Sequence, residues 1–399
     1  MDFGLTDDYR GLVQTVREFA KQHFTFENVS QWTRDEGLPD EVVKDFVNLD
    51  FNGFAVIHRR NHEKYDLLAQ VLVLEELSRA SGATLPLMND FLNLQIMEEF
   101  AGSGEFEFVR TRYQQEGRLA FALAVSEPES GSDLMNMITH TRASGGNTVL
   151  SGAKMFVNNG EYAPYLLVAA IDSEAKPDDH GHPPLSLWLV PHEAPGIEAY
   201  PIEKVGQNVL PFSTVLFNDV KLDESWRLHG KRSGFPQLFQ FFSIGRLFAC
   251  ATALGLAQAA MEDAVALAGK RQAFNQRVAD FQLVQEMLVD MELSLDNMRM
   301  RVYKPAWMVD RGMDGDRLRL AIALAKRYVP AAATEVASNA MQILGGRGYT
   351  CSERVASIWT DCRGFQIAEG TDQIMVHIAA PLVLKRYGVE PGERRGSLR

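Results

Sequence analysis

Phe121-Ala-Leu-Ala-Val-Ser-Glu-Pro-Glu-Ser-Gly-Ser-Asp133 is the stretch on which the fold turns. Phe121, Leu123 and Val125 alternate with alanines, which is the period of a strand. Pro128 and the small residues behind it then end the strand in a turn. Before this point the pattern is helical. Leu12, Val13, Val16, Phe19 and Ala20 fall at helical spacing. Leu67, Val71, Leu74 and Leu77 form the stripe of a second helix, with Glu76 towards its wet side, and residues 91–100 form a third.

Beyond it, strand patterning continues to about residue 232. Gly145-Gly-Asn147 is a turn signal before a strand at 148–151. Residues 165–171, 185–190 and 214–218 are short aliphatic and aromatic runs separated by Gly, Pro and Asp. No helical segment lies between them, so βαβ units are not expected and the strands predict an antiparallel sheet or small barrel. From Phe235 the helical period returns. Val284, Met287, Leu288, Met291, Leu295, Met298 and Val302 step mostly by three and four, an inward stripe as in a bundle. An Ala-rich helix at 318–344 stops at Gly345-Gly346. Met375, Ile378, Ala379, Leu382 and Val383 mark a last helix, with Thr371 as its N-cap. The expected class is α+β, mostly α: an N-terminal helical domain at 1–120, a middle antiparallel β-domain at 121–232 and a C-terminal four-helix bundle at 233–399. Pro211 and residues 230–234 are candidate boundary markers, and residues 393–399 are expected to be frayed.

Composition narrows the function. The 399 residues are 46% hydrophobic and 23% charged, which suits a globular chain rather than a disordered one. Lys and Arg number 40 against 52 Asp and Glu, a net charge of −12. Without long basic runs, such a chain is a poor nucleic-acid binder, although local cations can still hold an anionic small molecule. Cys250, Cys351 and Cys362 form no C-x-x-C pair, so neither a zinc site nor a disulfide framework is expected, and a reducing cytoplasm fits. Residues 1–10 carry no basic or apolar leader pattern. The most apolar run, 247–261, is shorter than the ~20 residues of a membrane span and reads as a buried helix. G-x-G-x-x-G after a strand, the P-loop and H-E-x-x-H are all missing. His180 and His182 stand in Asp178-Asp-His-Gly-His-Pro-Pro184, which has the composition of a solvated loop, so no metal is expected.

Five segments carry candidate chemistry. Residues 125–133 offer backbone N–H groups and hydroxyls to a flat polar ligand, although the segment alone reads equally well as a surface turn. Ser151-Gly-Ala-Lys-Met-Phe-Val-Asn-Asn-Gly160 carries Phe156 among polar groups; a core aromatic on a sheet is its plainer reading. Arg271-Gln-Ala-Phe-Asn275, followed by Phe281-Gln-Leu-Val-Gln285, offers an arginine suited to phosphate or simply a surface helix end. Gln342-Ile-Leu-Gly-Gly-Arg-Gly-Tyr349 is a glycine-rich helix exit that alone reads as a C-cap. Gln366-Ile-Ala-Glu-Gly-Thr-Asp-Gln373 places a carboxylate just before a helix start.

In this order and spacing, the set resembles the acyl-CoA dehydrogenase family, whose patterns are T-E-P-x-x-G-S-D, N-G-x-K-x-x-I-T-N-G, R-x-x-F-G with a downstream F-Q, Q-I-x-G-G-x-G and Y-E-G-T. The opening Met-Asp-Phe-x-Leu-Thr is similar too, and the resemblance spans approximately residues 2–387. It implies a helical domain, a β-domain and a four-helix domain, noncovalent FAD, a homotetramer built as a dimer of dimers, and electron-transfer flavoprotein as electron acceptor. The implied reaction converts an acyl-CoA thioester to the trans-2-enoyl-CoA: a glutamate removes the α-proton while the β-hydrogen leaves as hydride to flavin N5. Glu369 matches that glutamate. Its backbone N–H matches half of the carbonyl-binding pair.

The resemblance assigns other residues as well. Val125 and Ser126 match contacts to the flavin pyrimidine edge, Phe156 an aromatic on the ring, and Asn158 a threonine near N5. Arg271, Phe274 and Gln282 match an arm to a neighbouring subunit's FAD. Gln342, Gly345 and Gly346 match its pyrophosphate partners, and Thr371 and Gln373 further FAD contacts. Ser132 and Arg246 match the CoA site, with Phe242 and Gly370 also expected to bind substrate. Some relatives carry the base one residue before the Arg of L-D-x-E-R; here that segment is Phe242-Ser-Ile-Gly-Arg246, and Gly245 cannot be a base.

Several positions depart from the pattern. Asn158 replaces Thr, Ala368 replaces Tyr, Ser243 replaces Asp, Asn275 replaces Gly and Thr360 replaces Arg, while residues 57–63 replace P-E-E-x-G-G. Three other readings stay open. One is an enoyl-CoA reductase of the carnitine-thioester type, which Phe156 and the opening residues resemble. The others are a flavin-dependent monooxygenase and a non-catalytic assembly subunit.

Overall fold

The computed structural model describes residues 4–49, 66–100, 103–116, 121–177, 181–228 and 234–390. The opening Met-Asp-Phe, residues 57–63, His180, residues 230–233 and the tail from 393 lie outside the described residues.

Helices α1 (Asp7–His23), α2 (Phe26–Asp35), α3 (Asp40–Asn48), α4 (Leu67–Ser81), α5 (Leu87–Phe100) and α6 (Ser103–Glu116) come first. Thr6, Thr25 and Asp66 start α1, α2 and α4 by accepting a backbone N–H with their side chains. Helix α4 buries the expected Leu67, Val71, Leu74 and Leu77, but also Gln70, Glu75 and Glu76. The expectation of a wet Glu76 is therefore corrected: the residue is 5% exposed and holds Arg17 at 3.0 Å as well as Arg79. Packing explains it, because α1 covers α4 on one side and the first helix after the sheet covers it on the other. A one-faced stripe cannot reveal burial on two faces.

The sheet contains β1 (Ala122–Ala124), β2 (His140–Ser144), β3 (Asn147–Asn158), β4 (Tyr165–Asp172), β5 (Leu185–Pro191), β6 (Ile197–Pro201) and β7 (Phe212–Leu222), in the order β1-β4-β2-β3-β7-β6 with β5 also on β4. Most pairs are antiparallel, but β1 and β2 both run parallel to β4, with Leu123 opposite Leu167 and His140 opposite Ile171. This corrects the purely antiparallel expectation. A parallel pair needs a long crossover, and here strands supply it in place of a helix, since β3 lies between β2 and β4 in sequence. Pro211 directly precedes β7, and its carbonyl accepts from Asn159 N at 2.9 Å, so it lies within the β-region rather than at its edge. Strand β4 is buried on both faces. Tyr165, Leu167 and Ala169 join the helical core, while Leu166, Val168 and Ala170 meet Trp188, Val215 and Phe217 in a second core.

The last part comprises α7 (Phe235–Ala268), a hairpin of β8 (Gln272–Ala273) and β9 (Gln276–Arg277), α8 (Gln282–Asp310), α9 (Gly315–Leu344), α10 (Val355–Phe365) and α11 (Asp372–Arg386). Helix α7 is long and apolar enough to cross a membrane. However, Leu247, Phe248, Leu254 and Leu256 are fully buried in protein, because α7 packs against α4, α8, α9 and α10. Helix α8 turns Met291, Leu295, Met298 and Val302 inward, as its stripe predicts.

Asp361 of α10 ties the three parts together. Its carboxylate accepts from Thr84 N at 2.8 Å and from Gln207 N. Burial pushes this acid up to about 6, against the two backbone donors that favour its charge. Asp361→Ala would strand two buried N–H groups, so a loss of about 2–5 kcal/mol is expected from urea unfolding followed by fluorescence.

Candidate active site

The turn from Phe365 to Thr371 is built from both ends. Ile367 N and Ala368 N close on Gly364 O, each at 3.0 Å, and Asp372 N reaches Gln366 O at 3.1 Å. Thr371 caps α11 by accepting from Ile374 N at 3.2 Å. Between these ends, Glu369 (φ 56°) and Gly370 (φ 92°) are both left-handed. Glycine takes that conformation freely, whereas glutamate holds it at a cost of about 1–3 kcal/mol. A half-buried arginine and a buried lysine over-determine the turn. Arg246 Nε donates to Glu369 O at 3.1 Å, and Lys326 Nζ donates to Phe365 O at 2.6 Å and Gly370 O at 3.0 Å. Among the described residues the Glu369 N–H makes no hydrogen bond.

The Glu369 carboxyl lies against α7 where Gly245 bares the backbone. A Cβ on Gly245 would stand 2.6 Å from Glu369 Oε2 and 3.3 Å from Leu92 Cδ2. Oε2 is buried and has no hydrogen-bond partner. Burial raises the pKa of this acid, while Arg246 and Lys326 oppose the shift. Gly245 is also where some relatives would place their base, so that position and Glu369 compete for one space. Gly245→Ala is expected to crowd the carboxyl out of this space at a cost of about 1–3 kcal/mol, read from the midpoint of urea unfolding.

Glu369, Gly370, Thr371, Arg246 and Phe242 line a cleft of about 1960 Å³ together with Val125, Ser126 and Ser132. One small ligand occupies roughly 300–1,000 Å³, so there is room for more than one. An internal ion pair fixes the 125–133 turn. Lys154 Nζ donates to Glu127 at 2.8 Å and to Val125 O at 2.9 Å, and Glu127 accepts from Ile138 N and Thr139 N. Burial would raise the Glu127 pKa, but Lys154 and these donors more than offset it, leaving it lowered.

Phe156 shows how the sheet serves the cleft. The register against β7 shifts between Lys154 and Val157, and this bulge puts Phe156 at φ 60°. The residue is 54% exposed and lines the cleft, so it is not the core aromatic of the plainer reading. Asn158 lines the same cleft, with Oδ1 buried and unpartnered.

A second group lies away from this cleft. The β8–β9 hairpin turns through Phe274 (φ 52°) and Asn275 (φ 63°), both left-handed, a conformation that asparagine tolerates. Phe274 is 91% exposed at its tip. Arg271 Nη1 donates to Leu344 O at 3.3 Å, beside Gly345. Gly346 and Gln342 flank that helix exit, and Gln282 opens α8; all three are exposed. Gln373 is exposed on the first turn of α11. His182 lines the main cleft, but no group of three or more His, Cys, Asp or Glu side chains is placed to hold a metal among the described residues. The sequence reading missed Glu127, Lys154 and Lys326. For Lys326 one signal existed: it falls on the apolar stripe of Ile322, Val329 and Ala333.

Three family models match the chain: Acyl-CoA dehydrogenase, N-terminal domain, over residues 6–105; middle domain, over 122–220; and C-terminal domain, over 232–384. The probable acyl-CoA dehydrogenase YdiO of Escherichia coli (strain K12) is 32% identical over 387 residues, covering 97% of this chain and 99% of its own. Among solved structures, the acyl-CoA dehydrogenase from Slackia heliotrinireducens is 57% identical with a TM-score of 0.87, covering 97% of this chain and 99% of its own. A glutaryl-coenzyme A dehydrogenase in complex with glutaryl-CoA is 27% identical with a TM-score of 0.86, covering 100% of both chains.

Proposed function

Since this chain belongs to the acyl-CoA dehydrogenase family, a family of oxidoreductases, we propose that it converts an acyl-CoA thioester to the trans-2-enoyl-CoA with Glu369 as the base. One observation carries this reading: a buried, unpartnered carboxylate oxygen beside an unpartnered backbone N–H of the same residue, at the wall of a large cleft. A thioester α-C–H is a weak acid, so its carbonyl must be polarised as the proton leaves. The Glu369 N–H supplies a donor for the carbonyl oxygen, and Oε2 accepts the proton. The raised pKa suits that task, since a base works best when its pKa lies near the operating pH. Arg246 holds the Glu369 carbonyl, in the peptide that follows this residue, and so helps to fix the turn.

Members of this family bind FAD, and the residues present fit it. Phe156 offers an exposed aromatic face, Asn158 an orphaned amide oxygen, and Val125, Ser126 and Thr371 backbone and hydroxyl groups along the same cleft. Bound FAD supplies the acceptor for the β-hydrogen and its electron pair. In this reading Ser132 and Phe242, on the wall of the same cleft, hold the CoA thioester.

The second group of residues supports a role across a subunit boundary, in a homotetramer built as a dimer of dimers. Val289, Leu293, Met300 and Trp307 are exposed along α8 at spacings of four and seven, a face suited to another helix. Electron-transfer flavoprotein as acceptor and a cytoplasmic setting complete the reading. Anaerobic titration of the purified protein with linear, branched and aromatic acyl-CoAs tests it. Bleaching of flavin absorbance by at least one is expected; a protein without bound FAD that no acyl-CoA reduces would refute the reading.

A further inference from the structure

Lys326 sits in the middle of α9 on its inward stripe and is 0% exposed. Removing an ammonium from water costs several kcal/mol, so a cation here must be held by partners. Its partners are two carbonyls, Phe365 O and Gly370 O, which bracket the turn carrying Glu369. Arg246, from α7, takes the carbonyl of Glu369 itself. Two cations on two different helices therefore pin three carbonyls of one short turn.

We propose that Lys326 is a positioning residue for the Glu369 base: by joining Phe365 O to Gly370 O, it holds Glu369 in the left-handed conformation that sets the carboxyl against Gly245 and leaves the N–H free. The proposal rests on the reading of Glu369 as base. Gly370 O belongs to the Gly370–Thr371 peptide, so a bond to it fixes the chain one peptide beyond the one that Arg246 holds through Glu369 O. Phe365 O fixes the helix end from which the turn departs. An ammonium can donate in several directions at once, whereas a methionine of similar length fills the space and donates nothing.

The charge acts on the same residue. The charged groups facing Glu369 are Arg246 from α7 and Lys326 from α9. From α5 the neighbour is Leu92, with the uncharged Asn89 and Asn93 lining the same cleft. Lys326 is faced in turn by Cys250 and Arg246 of α7, and by Glu369 and Asp372. Burial pushes the Cys250 thiol up to about 12, so it carries no charge near neutral pH. Removing Lys326 takes away one of the two cations that favour the ionised base.

The test uses full-length FAD-loaded protein with Lys326→Met and Lys326→Gln, and Glu369→Gln as reference. Expected for the methionine variant are unchanged FAD content, a fall of roughly 10- to 100-fold in flavin reduction per bound flavin at saturating acyl-CoA, and little change in KM. The limb of the rate that rises with pH should also move to higher pH. The glutamine variant, which keeps a donor, should fall less. Wild-type rates and an unmoved limb in both variants would overturn the proposal. So would a lower rate with an unmoved limb, or loss of FAD from both variants while Glu369→Gln keeps it, since either assigns Lys326 to the fold alone. A Glu369→Gln protein with wild-type reduction would instead sink the reading of Glu369, whatever the lysine variants do.

Discussion

Glu369→Gln is expected to keep FAD and lose acyl-CoA-dependent flavin reduction by a factor of about 10²–10⁴, the range that a positioned general base contributes. The amide has nearly the shape of the acid, so the contact with Gly245 survives. The turn is held through its carbonyls by Arg246 and Lys326 rather than through the carboxyl, so the variant should fold. What disappears is the capacity to take a proton. Binding should change less than rate, because the N–H of residue 369 stays available to a thioester carbonyl. Stopped-flow reduction at saturating acyl-CoA separates the two, and unchanged reduction would remove Glu369 as the base. The same variant has a signature in stability. Burial raises the Glu369 pKa in the folded state, so its contribution is fully present below the unfolded pKa and is lost as pH rises through the folded value. Urea midpoints of the wild type should therefore carry a downward component across that window, and the glutamine variant should lack it.

The sequence made some of this legible and hid the rest for physical reasons. The change from helical to strand period near Phe121, and back near Phe235, places the β-region because periodicity is a local property. Thr371 and Gly345 mark helix ends because capping is local too. The parallel pairing of β1 and β2 with β4 was not legible, since it depends on which edge of β4 each strand meets. Glu76 looked wet because a stripe reports one face, while α4 is covered on two. The plainer reading of Phe156 as a core aromatic fails because the bulge before Val157 breaks the alternation of the strand. Within the site, the run around Glu369 was recognisable as a motif, yet nothing in it indicates that Gly245 supplies the space for Oε2 or that Lys326 ties its carbonyls. Those contacts join residues more than 35 positions apart, and no spacing rule reaches across them.

Gly255→Ala should cause one of the largest losses of stability in the molecule, although helix propensity argues the reverse. Gly255 lies inside α7, where alanine is favoured over glycine by about 1 kcal/mol. Propensity alone therefore predicts a gain. Geometry predicts a loss, because a Cβ there would stand 2.1 Å from Glu75 O, 2.9 Å from Ser78 Cβ and 3.0 Å from Arg79 N. Two of these atoms belong to the α4 backbone, so no side-chain rotation relieves the clash and the helices must part. Parting them disturbs a charged layer. Tyr303 donates to Glu75 at 2.6 Å, and Arg79 bridges Glu76 of α4 and Glu262 of α7. Overpacking costs about 1–3 kcal/mol and breaking a buried charge pair about 3–5, so a net loss of roughly 3–5 kcal/mol is expected. Urea unfolding decides between the two, and a midpoint at or above wild type would show that α4 and α7 do not approach so closely. The consequence reaches the site as well. Gly245 and Arg246 lie about 15 Å further up the same helix, so any tilt that relieves the clash shifts the surface against which the Glu369 carboxyl rests. Protein that remains folded should then reduce its flavin more slowly at saturating substrate, with its FAD still bound.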